Sequence, residues 1–143
     1  MEYMKDALAD IEAGRKGSVE IIVERQDLAS FSGNLGADVL STPRLVLLME
    51  DACRKAVEGC LPEGTITVGT RIELKHFAAT PLGMKVRADA ILREVDGRRL
   101  VFDVSVSDEV EKISEGVNER FIVSIGRFLN KIRNKQAIAH GQD

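Results

Sequence analysis

The sequence predicts an α+β fold in which an antiparallel sheet curls around one long helix. Three observations lead there. Residues 43–60 carry a broad apolar arc at 3.6-residue spacing, wider than a surface helix needs. From Thr65 to about Ile125 the chain alternates apolar and polar residues in successive runs, the pattern of half-buried strands. Between two of those runs stands Asp96-Gly97, a strong hairpin signal. A chain of 143 residues fits one domain with a real core. The expected layout is a single domain over 1–143, with a core at 17–125, a flap at 26–40 and a C-terminal helix at 126–135.

Taken in order, residues 3–13 suit a short amphipathic helix, and Val19 to Glu24 a strand with Ile21 and Val23 on one face. Gln26 to Leu40 is rich in Ser, Gly, Asn and Asp without a sustained period, so it reads as a long loop or flap. Thr42 is expected to cap the main helix, with Pro43 at its first position, where a missing N–H costs nothing. Leu45, Val46, Met49, Ala52, Cys53, Ala56, Val57 and Cys60 form its arc. Leu47 and Leu48 depart from the arc and imply that part of the second face is covered too. Gly59, Pro62 and Gly64 end the helix.

The next strand sets Ile66, Val68, Ile72 and Leu74 on one face, with His76 in phase at its end. Met84, Val86, Ala88, Ala90 and Leu92 form a second alternation, and Leu100, Phe102, Val104 and Val106 a third. Val117, Phe121, Val123 and Ile125 form a fourth. The closing helix offers Phe128, Leu129 and Ile132 as apolar contacts. One very apolar helix beside so much sheet is best buried by wrapping the sheet around it, which is the hot-dog arrangement. The edge left open calls for a second copy, so a homodimer is expected.

A net charge of −3 disfavours nucleic acid as the main partner. No run approaches the roughly 20 apolar residues of a membrane span. The first residues lack the pattern of a secretion signal, so a cytoplasmic protein is expected. Cys53 and Cys60 lie seven helical residues apart, about 10 Å along the axis, beyond the roughly 7 Å a disulfide can bridge. Without clustered histidines or a Cys-x-x-Cys they suggest no metal, and no cofactor is called for.

Three side chains could carry chemistry. His76 is an imidazole brought to the buried face at a strand end, where a proton-transfer group is useful. Glu50 lies at the border of the helix's apolar arc, a partly desolvated carboxylate fit for a base or nucleophile; an i,i+4 ion pair with Arg54 is the plainer reading. Thr42 lies two turns before Glu50 on roughly the same side, and capping alone would explain it. Gly69, in mid-strand, marks a bulge or a close backbone approach. Its N–H could serve an oxyanion, or the glycine could simply make room for the helix.

The residues themselves carry a further signal. Ser41-Thr42-Pro43, Leu48-Met49-Glu50, Ala52-Cys53, Val68-Gly69-Thr70 and His76-Phe77-Ala78-Ala79-Thr80-Pro81-Leu82-Gly83 resemble the fluoroacetyl-CoA thioesterase family of hot-dog proteins. Asp96-Gly97-Arg98-Arg99-Leu100 and Gly116-Val117-Asn118-Glu119-Arg120 extend the resemblance over roughly residues 18 to 135. It implies hydrolysis of an acyl-CoA thioester at a dimer-interface site. Thr42, Glu50 and His76 match the family's catalytic positions, and Gly69 its oxyanion-binding amide. Arg120 matches a recurring Glu-Arg pair and, pointing opposite Phe121 and Val123, is not expected to act directly.

Two departures stand out. Where the fluoroacetyl-specific enzyme gates its acyl pocket with flap phenylalanines, this chain has Gly33-Asn34-Leu35-Gly36, and Asn118 replaces a frequent histidine. The expectation is therefore a thioesterase for some other short or medium acyl group. The alternatives are a hot-dog dimer that binds acyl-CoA or another small ligand without turnover, and a hot-dog hydratase or dehydratase.

Overall fold

The computed structural model describes residue 8 and residues 10–141. The helix expected over residues 3–13 falls largely outside them. Among the described residues the chain forms strand β1 (Lys16–Ile22), helix α1 (Thr42–Ala56), strands β2 (Thr65–His76), β3 (Lys85–Asp96), β4 (Arg99–Asp108) and β5 (Lys112–Ser124), and helix α2 (Ile125–Ala139). The strands form one antiparallel sheet in the order β1-β3-β4-β5-β2. β1 and β2 are its two edges, and α1 packs across the inner face.

α1 starts at a cap one residue earlier than expected. Ser41, not Thr42, has the extended N-cap backbone, and its hydroxyl accepts from the Arg44 N–H at 3.1 Å. Both residues are good caps by type, and Pro43 tolerates either frame because it can sit at N1 or N2. The helix ends at Ala56, so Cys60 lies in the turn that follows rather than in the helix. Leu45, Leu48, Met49, Ala52, Cys53 and Ala56 are buried, each large side chain worth roughly 1.5–3 kcal/mol. Leu48 thus joins the core, whereas Leu47 stays 46% exposed. Both cysteines are free thiols.

β3 and β4 follow the alternation faithfully. Val86, Ala88, Ala90 and Leu92 face Leu100, Phe102, Val104 and Val106 in a continuous buried layer beneath α1. Asp96 pairs with Arg99 across a two-residue turn, and Gly97, with φ of 60°, takes the first turn position as in a type II′ hairpin. β1 begins at Lys16, three residues before the expected start, because Gly17 lets it approach the helix. A Cβ on Gly17 would stand 2.3 Å from the Ala56 nitrogen and 2.4 Å from the Ala52 carbonyl oxygen.

β2 and β5 depart from simple alternation. β2 is bulged between Gly69 and Arg71, with Thr70 as the extra residue. The insertion flips the phase, so Ile72, Leu74 and His76 share the inner face with Thr65, Thr67 and Gly69, not with Ile66 and Val68. On β5 the inner face is the polar one. Ser114, Asn118 and Arg120 are buried with Ile122, while Val117, Phe121 and Val123 are half-buried on the outer side. α2 runs past Lys135 to Ala139 and none of its residues is buried; Leu129 and Ile132 are 42% and 40% exposed.

Candidate active site

The four residues singled out in the sequence fall into two groups at different levels of α1. The first lies at the helix N-terminus. Because Ser41 performs the capping, the Thr42 hydroxyl is left to meet His76, whose Nδ1 is 2.9 Å away. His76 reaches it from the end of β2. Burial pushes the imidazole pKa below its ordinary value, and the nearby Ala78 backbone offsets only part of this. A neutral ring at neutral pH keeps one nitrogen free to accept a proton.

The flap is tied down around this pair. Asp27 accepts from Arg44 Nε at 2.8 Å and from the Glu24 N–H at 2.8 Å, while the Ser41 N–H donates to the Asp27 carbonyl. The Leu40 N–H donates to the Thr80 carbonyl at 2.8 Å, and Val39 bridges Pro81. Thr42 and His76 open onto a cavity of about 330 Å³ walled by Ala29, Asn34, Ala37 and Val39. Its flap wall turns through Gly33 and Gly36, both in the left-handed region at φ of 110° and 92°. Phe31, 62% exposed, and Leu35, 88% exposed, do not line the cavity, whereas Phe77 does.

The second group surrounds Glu50. Its partner is not Arg54, which pairs with Asp51 instead. Glu50 Oε2 accepts from Arg120 Nη1 at 3.0 Å, with the Glu50 side chain 27% exposed and that of Arg120 3% exposed. The guanidinium is further fixed by Thr67 Oγ1 at 3.0 Å, the Thr67 carbonyl at 3.1 Å and Asn118 Oδ1 at 3.3 Å. Asn118 is held in turn by donating to the Arg71 carbonyl at 2.9 Å. Desolvation pushes the Arg120 pKa down and the Glu50 charge pushes it back up. Cys53, the next inward group on α1, is pushed up to about 12 by burial and is an inert thiol.

Gly69 lies against this carboxylate. A Cβ there would be 2.5 Å from Glu50 Oε2 and 3.2 Å from Arg120 Nη1, so any side chain would displace the ion pair. Both readings of the glycine, bulge and close approach, hold together. Two hydrogen bonds fix which main-chain groups of β2 face outward: Ile125 N–H to the Gly64 carbonyl and Phe77 N–H to the Ile113 carbonyl. Alternation from the first turns the Gly69 N–H away from β5, toward the open edge of the sheet.

Within one chain the two groups stay apart. Thr42 and Glu50 are eight helical residues apart, about 12 Å along the axis. The residue that sequence reasoning undervalued is Arg120. Its side chain points opposite Phe121 as expected, but that side is the inner face, where it holds Glu50. The Glu-Arg pair in the late motif was the available signal.

Comparison with known proteins places the sequence and the fold among relatives. The family model described as fluoroacetyl-CoA-specific thioesterase matches residues 23–125. The fluoroacetyl-CoA thioesterase of Streptantibioticus cattleyicolor is 42% identical over 98 residues, covering 68% of this chain and 70% of that protein. A crystal structure of a variant fluoroacetyl-CoA-specific thioesterase superposes with a TM-score of 0.82 at 33% identity, over 87% of this chain and 97% of the other. A Thermus thermophilus hypothetical protein of the thioesterase superfamily gives 0.85 at 27% identity, over 92% and 98%. With a hot-dog sheet wrapped on α1 and a match across most of its length, the chain belongs to the fluoroacetyl-CoA-specific thioesterase family.

Proposed function

We propose that the protein hydrolyses short or medium acyl-CoA thioesters to the free acid and CoA, at sites completed across a homodimer. The observation that carries this reading is the Glu50 carboxylate, braced by a buried arginine and pressed against Gly69 on an open sheet edge. A carboxylate fixed beside an outward-facing amide suits acyl transfer, where a nucleophile and an oxyanion donor must meet one carbonyl.

Dimerisation closes the gap between the two groups. Antiparallel pairing of two β2 edges about their midpoints brings the His76 end of one copy against the Thr65–Gly69 end of the other. Thr42 and His76 of one protomer then face Glu50 and Gly69 of its partner. It also covers the unpaired edge groups of a 12-residue strand.

In the mechanism that follows, the Gly69 N–H receives the carbonyl oxygen as it gains charge, worth roughly 3 kcal/mol per donor. A Glu50 oxygen adds to the carbonyl carbon, the carbon–sulfur bond breaks, and CoA leaves as the thiolate and takes up a proton. Water, giving its proton to His76, then cleaves the mixed anhydride and restores the Glu50 carboxylate. Thr42 holds the imidazole in line. If Glu50 instead activates water directly, one addition and one loss of thiolate complete the reaction. After multiple turnovers in ¹⁸O-water, label in Glu50 marks the covalent route with water adding at the Glu50 carbonyl carbon; direct hydrolysis, or water adding at the acyl carbon, labels only the released acid.

The flap supports an acyl group other than fluoroacetyl, because it contributes Ala29, Asn34, Ala37, Val39 and Leu40 to the cavity wall and its one aromatic, Phe31, does not line it; the aromatic that does, Phe77, comes from beyond the end of β2. Two free thiols suit a cytoplasmic setting. Thiol release measured with DTNB over acetyl-, fluoroacetyl- and C4 to C8 acyl-CoAs tests the reading. Turnover of at least one C4 to C8 substrate above fluoroacetyl-CoA is expected. Binding of these substrates without thiol release would leave the non-catalytic alternative, and preference for fluoroacetyl-CoA would remove the argument from the flap.

A further inference from the structure

Ser114 is buried on the inner face of β5, and its hydroxyl oxygen has no hydrogen-bond partner within the protein. In the β2–β5 register its direct neighbour is His76. The imidazole's second nitrogen, Nε2, is likewise buried and without a protein partner. Two orphaned polar atoms therefore sit on facing residues. The Phe77 N–H bond to the Ile113 carbonyl makes the adjoining His76–Ser114 pair a non-hydrogen-bonded one. Side chains approach most closely at that position, with Cα atoms about 4.5 Å apart.

A buried hydroxyl with nothing to bond carries an uncompensated loss of hydration, and so does a ring nitrogen. The same layer accepts apolar residues freely: Val106, the partner of Ser114 on β4, is fully buried. An apolar residue at 114 would pack without that loss, so packing does not explain a serine. Satisfying the imidazole does. The other ring nitrogen is already committed to Thr42.

We infer that Ser114 is a positioning residue for His76, its hydroxyl coupled to Nε2 through one buried water. The coupling keeps the ring proton on Nε2. Nδ1 is then the unprotonated nitrogen, accepting from the Thr42 hydroxyl and able to take a proton during hydrolysis. Remove the hydroxyl, and a proton on Nε2 is buried without an acceptor. It then favours Nδ1, where the Thr42 oxygen can receive the N–H. The base is blocked while the ring stays in place. The catalytic consequence rests on the reading of His76 as the base; the tautomer does not.

The test uses the full chain with ¹⁵N-labelled histidine, which contains only His76 and the exposed His140 as an internal reference. Long-range ¹H–¹⁵N spectra of neutral imidazoles distinguish the two tautomers. The unsubstituted protein is expected to show His76 as Nε2–H. Ser114→Ala should move it to Nδ1–H, lower kcat about tenfold as part of the proton-transfer contribution, and leave KM within about twofold. Ser114→Thr should restore both tautomer and kcat. Ser114→Cys, similar in volume but a weak hydrogen-bonding group, should behave as the alanine variant does and serves if that variant does not fold. An unchanged Nε2–H signal in the alanine or cysteine variant overturns the proposal, whatever happens to kcat. If the unsubstituted protein releases no thiol from any acyl-CoA, the proposed function fails, and the spectra still decide the coupling.

Discussion

Replacing Arg120 by methionine is the sharpest test of how Glu50 is held. Methionine fills much of the same space but supplies no donor. The substitution removes the four hydrogen bonds that Arg120 makes to Glu50, to Thr67 twice and to Asn118. Breaking a fully buried ion pair by deleting one partner costs about 3–5 kcal/mol. Glu50 keeps 27% exposure and can recover some hydration, which places the expected loss near the lower end, about 3 kcal/mol. For a domain of this size that lowers Tm by roughly 10 °C. Glu50→Gln costs less, because the amide oxygen can still accept from Nη1. In Arg120→Met/Glu50→Gln the carboxylate is gone, so the arginine is missed less. Urea denaturation of all four proteins should show a coupling of at least about 1 kcal/mol between the two sites. Additivity within about 0.5 kcal/mol would mean that the pair is not an energetic unit, and the account of a braced carboxylate would fail.

Three further predictions follow from single features. Gly69→Ala brings a Cβ to 2.5 Å from Glu50 Oε2. The end of a flexible side chain can yield, so the fold should persist while kcat falls about a hundredfold; kcat near the original value in a steady-state assay would separate Glu50 placement from catalysis. The depressed pKa of His76 means that the folded state binds its proton less readily than the unfolded chain. Stability from this group is therefore fully present above an unfolded value of about 6.5 and is lost as pH falls through the folded value. The same shift places the acid limb of kcat/KM below pH ~6.5; a limb above that value, or one that survives His76→Ala, would contradict the assignment. Gly17→Ala meets backbone atoms of Ala52 and Ala56 that cannot move aside, so β1 must shift. A loss of about 1–3 kcal/mol is expected by thermal or chemical denaturation, and no loss would show that the strand is not locked to the helix.

The parts of the fold that sequence made legible are those where one kind of residue does one job. β3 and β4 are lined by apolar side chains because that face meets only α1, and period-2 reading finds them. α1 is legible for the same reason, though two adjacent good caps, Ser41 and Thr42, hid the true start by one residue. β5 misled because its inner face has to serve Glu50 and His76, so Ser114, Asn118 and Arg120 displaced apolar residues there. The outer face was left with Phe121 and Val123, and hydrophobicity alone points the wrong way. Motif order groups Thr42, Glu50 and His76 without pointing to the Thr42–His76 contact, and the span of about 12 Å from Thr42 to Glu50 is implicit in their spacing on one helix. What could not be read was the ion pair between Glu50 and Arg120: the late motif marks Arg120, but nothing in it names a partner 70 residues away.

The phase flip at Thr70 has a cost on the far side of the sheet. By turning Thr65, Thr67 and Gly69 inward, it turns Ile66 and Val68 outward, where they pair with Val123 and Phe121. Ile66 is left 38% exposed. The outside of the sheet therefore carries a small oily strip that no packing requirement of the core explains. It is the mirror image of the candidate site: the chain wets one surface of the strand around Glu50, and waterproofs the other as a by-product.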